Sequence, residues 1–137
     1  MSEHIDLRDI MRSAGGYAPE AYVFLRDGLA HTVAMVHGED AVNEPPAEDE
    51  SRHVSGQQLC MGLRDYAIQR YGLLAKPVLT RWGITRTEDF GNIVFALVDA
   101  QLMRKTDEDT IEDFRGVFDF DEAFGFSLQD SIGTADA

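Results

Sequence analysis

Apolar positions recur along most of this chain with the period of a helix. Leu7, Ile10, Met11 and Ala14 form one stripe that ends at Gly15 and Gly16, which predicts a short first helix. Pro19 then stands where a helix tolerates a missing N–H. Tyr22, Leu25, Leu29, Val33 and Val36 carry the next stripe to a stop at Gly38, so 17–38 reads as a long helix. Gly28 in its middle costs about 1 kcal/mol relative to Ala unless a neighbour packs closely against it, and such a neighbour is expected. Ser55 followed by Gln58 is a capping box, in which hydroxyl and amide side chains satisfy each other's free backbone N–H groups. From there Leu59, Leu63, Tyr66 and Arg70 follow one edge of a helix and Cys60, Ala67 and Tyr71 the adjoining one, with Gly72 as the stop.

Leu74, Val78 and Trp82 space a further short helix, weakened at its start by Pro77 and ended by Gly83. Thr85 and Thr87 are alternative N-caps for the next, with Glu88 and Asp89 in its first turn. Phe90, Ile93, Val94, Leu97 and Val98 give it a wide apolar face, and Phe95 and Ala96 make it the most hydrophobic helix of the chain. It is the expected centre of the core. Short alternations in 102–106 and 110–120, around Asp107, Glu108 and Asp109, leave a small β hairpin and two short helices as alternatives. The expected fold is mainly α and a single domain over 1–137: the long helix 17–38, an acidic linker or loop 39–52, a helical core 53–126, and a small, polar, frayed tail 127–137.

Charge changes this picture by its layout. The net charge is −13, but residues 1–51 carry eleven acids and three bases, 52–105 four acids and eight bases, and 106–137 ten acids and one base. A field of that overall sign repels polyanions at long range, which makes nucleic acid and anionic membranes poor first partners. The stretch 39–51, with six acids and Pro45–Pro46, lacks the apolar surface to offset the entropy of ordering it. It reads as solvated chain, or alternatively as an acidic docking segment. One cysteine, an acidic opening rather than a basic-then-apolar one, and no apolar run near the ~20 residues of a membrane span point to a cytoplasmic protein.

Candidate chemistry is sparse. His4, His31, His37 and His53 lack metal-ligand spacing, and no HExxH or paired-cysteine motif occurs. Cys60 with His53 would make a thiolate and base, but Cys60 joins the apolar edge of its helix and reads as a packing residue. Counting from Asp107 or from Asp119 places neither the glycine nor the glutamate that a calcium loop requires. No catalytic, cofactor-binding or metal site is assigned, and no cofactor is expected. Near the C-terminus, five of the eight phenylalanines lie within thirteen residues, interleaved with acids. Phe114, Phe118, Phe120 and Phe124 either complete the core or form a docking edge for a protein partner or a second copy.

Two resemblances follow from longer stretches. WGITRTEDFGNIVFALVDAQLMRK resembles the second half of a winged helix-turn-helix, with Gly-Ile-Thr as the turn and Leu-Met-Arg-Lys entering the wing. That resemblance implies a helix from Thr87 reading the major groove, with Arg81, Arg86, Arg104 and Lys105 as the nearby cations. The outward face expected for that helix, Glu88, Asp89, Asn92 and Asp99, would be repelled by phosphates. Over 17–124, and above all in HVSGQQLCMGLRDYAIQRYGLLAKPVLTRWGITRTEDFGNIVF and KTDEDTIEDFRGVFDFDEAF, the chain is similar to a small uncharacterised bacterial family of planctomycete and verrucomicrobial type. That similarity implies a bacterial, cytoplasmic origin and carries over no activity. The expected function is a non-catalytic protein-interaction module; the alternatives are a winged-helix-like nucleic-acid-associated regulator and a small enzyme.

Overall fold

The computed structural model describes residues 15–38, 53–103 and 109–125 of the 137. The short helix expected over 7–14, the acidic stretch 39–52 and the tail 127–137 lie outside the described residues. Along the chain run helix α1 (Pro19–His37), α2 (Gly56–Tyr71), a 3-10 turn (Gly72–Leu74), α3 (Ala75–Arg81), α4 (Thr87–Asp99), a second 3-10 turn (Ile111–Phe114) and α5 (Phe120–Ala123). The fold is mainly α, and there is no strand among the described residues. Where 110–120 was open between hairpin and short helices, it is a 3-10 turn, a bend and the start of α5.

Local sequence explains the helix ends. Pro19 occupies the first helical position of α1, and Gly38 N–H closes its other end on the Ala34 carbonyl at 3.0 Å. The capping box of α2 is complete: Gln58 N–H donates to Ser55 Oγ at 3.1 Å and Ser55 N–H to Gln58 Oε1 at 2.9 Å. Pro77 falls in the first turn of α3, where backbone N–H groups have no helical acceptor anyway, so it interrupts nothing. Neither Thr85 nor Thr87 caps α4; Arg86 stands at the N-cap position. Asp89 reaches back to accept from Thr85 N–H at 2.8 Å and Arg86 N–H at 3.2 Å, which frees the Thr87 hydroxyl for another partner.

α1 packs chiefly on α2, and the contact depends on two glycines. A Cβ on Gly28 would lie 2.3 Å from Leu63 Cδ2, and one on Gly62 would lie 1.8 Å from Thr32 Oγ1. Each helix thus sets a large side chain against a missing one on the other, the close neighbour that Gly28 demanded. The buried stripe of α1 is accordingly Ala21, Leu25, Gly28 and Thr32 with Tyr22 and Phe24, while Val36, placed on the apolar stripe by its spacing, is exposed.

α4 is buried nearly all round. Thr87, Asp89, Phe90, Gly91, Ile93, Val94, Ala96 and Leu97 are buried, and of its thirteen residues only Asp99 is exposed. Residues 111–124 wrap it. Phe90 stacks within 6.5 Å of Phe24 and Phe118 and 5.8 Å of Phe120, and Phe95 meets Phe114 edge-on at 6.2 Å. Thr87 Oγ1 donates to the Phe114 carbonyl at 2.6 Å and accepts from Val117 N–H at 3.1 Å, tying that wrap to the start of α4.

Candidate functional site

This wrap decides the fate of the phenylalanine cluster. Phe114, Phe120 and Phe124 are 3%, 5% and 3% exposed, and Phe118 is half-buried among them. Phe118, Phe120 and Phe124 lie ring to ring at 5.1 to 5.8 Å. They are core residues, not a docking edge. Phe118 and Phe120 lie against the fully buried Phe90, and Phe124 packs on both of them.

The best-connected polar groups are structural too. Tyr17 hydroxyl donates to Asp89 Oδ1 at 2.5 Å and accepts from Asn92 Nδ2 at 3.0 Å, while Ala18 N–H donates to the Trp82 carbonyl at 3.1 Å. This latch joins the approach to α1 to the turn between α3 and α4. Burial, reinforced by the Asp89 hydrogen bond, pushes the Tyr17 hydroxyl up to about 12, with the Asn92 donor and the Arg86 charge pulling the other way. Such a phenol is a poor proton donor near neutrality. Cys60 is fully buried, and burial followed by the charge of Glu88 pushes its thiol up to about 12. It packs as a small apolar group rather than acting as a nucleophile.

The histidines and acids are engaged locally. His31 Nε2 meets Asp65 Oδ2 at 2.6 Å, His37 Nε2 meets the His53 carbonyl at 2.8 Å, and His53 Nε2 meets Asp109 Oδ1 at 3.0 Å. Asp119 caps α5 by accepting from Asp121 and Glu122 N–H. Among the described residues no three His, Cys, Asp or Glu side chains gather as a metal-holding group, and no helix is long and apolar enough to cross a membrane.

One surface stands apart. From Tyr66 to Thr87 the chain has no acid and carries Arg70, Lys76, Arg81 and Arg86. In its middle, the 3-10 turn runs directly into α3, whose buried positions are Ala75 and Leu79 rather than Leu74 and Val78. Rotating the buried side by one residue leaves Leu74 62% and Leu73 37% exposed. On helical geometry Pro77 is centred on the outward face, between Leu73 and Thr80 on one side and Leu74 and Arg81 on the other. Lys76, Pro77, Thr80 and Arg81 line an open concavity of about 460 Å³ there.

The cations of this surface are held differently. Arg70 lies over the Tyr66 and Tyr71 rings, 5.9 Å from each centroid. Lys76 Nζ donates to Asp121 Oδ1 of α5, and both side chains remain substantially exposed. Arg81 and Arg86 are exposed and make no ion pair among the described residues. Of the cations read as a nucleic-acid set, Arg81 and Arg86 thus flank the α3–α4 turn, whereas Arg104 and Lys105 lie outside the described residues. The outward face expected for α4 also differs: Asp89 is buried in the latch, and Glu88 and Asn92 are half-buried. Sequence reading missed the exposed leucines because the three-residue 3-10 turn ends at Leu74 and α3 buries Ala75 and Leu79 instead. No protein family, curated protein or solved structure matches the chain.

Proposed function

We propose that this chain is a non-catalytic protein-interaction module of the bacterial cytoplasm. The observation that carries the reading is the pair of exposed leucines on the outward side of the 3-10 turn and α3, bordered by cations, on an otherwise acidic protein. Exposed apolar side chains grouped with charged neighbours on a rigid element mark protein-binding surfaces. The free, buried Cys60 is compatible with a reducing compartment. The test is affinity capture of the tagged full chain from a native bacterial lysate, with light scattering on the pure protein. The module reading expects a protein recovered in constant ratio to the bait across salt concentrations; a monomeric, stable bait that recovers none contradicts it.

A second reading, a winged-helix-like nucleic-acid regulator, is favoured by exposed Arg81 and Arg86, which make no ion pair among the described residues, on either side of a helix–turn–helix corner. Against it stands α4, which as a reading helix would offer the groove little but Asp99. Binding of duplex DNA whose affinity falls steeply with salt would favour this second reading over the first.

A further inference from the structure

We propose, resting on the module reading, that the corner built by the 3-10 turn Gly72–Leu74 and α3 receives a short acidic segment with apolar side chains from a partner protein. In this arrangement the partner's apolar groups cover Leu73, Leu74 and Pro77, and its carboxylates pair with Arg81 and Lys76.

Charge complementarity selects this occupant. The acid-free stretch is a local positive region in a chain of net charge −13. At physiological ionic strength fields decay over about 8 Å, so a short acidic segment seated at the corner experiences these cations and the neighbouring Asp121, and little of the acids farther along the chain. A long polyanion would have to run past the acidic remainder, and its phosphates would gain nothing from the two leucines. A second copy would bring another net charge of −13 with it. The protein itself supplies a precedent for the carboxylate contact: Asp121, on a different helix, already reaches Lys76 from the edge of the surface. That exposed pair is readily exchanged, because each group stays well solvated. Arg81 has no such partner among the described residues, and its planar fork is suited to an incoming carboxylate.

The test is an NMR titration of the full isotope-labelled chain with a synthetic twelve-residue peptide alternating Asp or Glu with Leu and Phe. A peptide with Lys in place of every acid and a dT oligonucleotide of equal length serve as comparisons. The inference expects shifts concentrated in 70–81 with the acidic peptide only. Leu74→Ser should weaken binding about tenfold, since it removes most of one leucine's burial. Arg81→Glu should weaken it at least as much, with unchanged melting temperature, as both side chains are exposed. Asp121→Asn, which releases Lys76, should tighten binding roughly two- to fivefold. Absence of acidic-peptide binding, shifts centred elsewhere, equal response to the lysine peptide or oligonucleotide, or peptide-independent dimerisation through the corner would each overturn it. If a lysate partner is captured equally by wild type and by Leu74→Ser/Arg81→Glu, the module reading stands and this assignment of its surface falls.

Discussion

Replacing Gly62 by Ala tests the α1–α2 contact, because helix propensity and packing oppose each other there. In the interior of a helix Gly→Ala gains about 1 kcal/mol from propensity alone. Here the new Cβ would lie 1.8 Å from Thr32 Oγ1, 2.6 Å from its Cβ and 2.8 Å from its Cγ2. Thr32 is 1% exposed, and its hydroxyl donates to the Gly28 carbonyl at 2.8 Å. A β-branched side chain so held has no free rotamer to turn into, so either the bond breaks or the helices separate. Overpacking of this kind costs up to about 3 kcal/mol, and a lost hydrogen bond about 1 more. The expected net loss is therefore roughly 2–3 kcal/mol, a fall in melting temperature on the order of 10 °C for a chain of this length. Urea unfolding followed by Trp82 fluorescence and circular dichroism measures it. In a Thr32→Ala background the same substitution should cost at least about 1 kcal/mol less, since contacting residues are not additive. Stabilisation by Gly62→Ala, or an identical cost in both backgrounds, would refute the contact.

Tyr17 supplies a pH dependence. Its native value is raised from 10.0 to about 12, first by burial and then by the Asp89 hydrogen bond. A raised value means that its stabilisation is complete below pH 10 and is lost as pH climbs to about 12, because the unfolded chain deprotonates first. Two units correspond to on the order of 2–3 kcal/mol, so wild type should lose that much more than Tyr17→Phe between pH 10 and 12, and parallel curves would dismiss the latch. Cys60, raised from 9.0 to about 12, should react with iodoacetamide at pH 8 about a thousandfold more slowly than a free thiol, recovering in urea; native labelling within a few fold of glutathione would contradict its burial.

Features written by neighbours in sequence were legible, and those written by distant contacts were not. Ser55 and Gln58 lie three apart, so their capping box could be read directly, as could Pro19 opening α1 and the apolar weight of α4. The role of Thr87 could not, because its partners Phe114 and Val117 lie 27 and 30 residues further on. The phenylalanines near the C-terminus had two readings, since an aromatic run looks alike whether it covers a core or a partner. Only the ring contacts with Phe90 separate the two. At α3 the error was one of phase: Leu74 closes the 3-10 turn and faces outward while Ala75 and Leu79 face inward, one residue or about 100° from the stripe that the spacing suggests.

The account rests on α4 as the interior post of the fold rather than a surface helix, with Leu73 and Leu74 exposed at the corner before it. Native-state hydrogen exchange resolved by residue tests this most directly. The amides of Ile93, Val94, Ala96 and Leu97 should exchange only through global unfolding, with protection equal to the full unfolding free energy, while Leu73 and Leu74 exchange through local opening. Exchange at those four α4 amides as fast as at the leucines would contradict it.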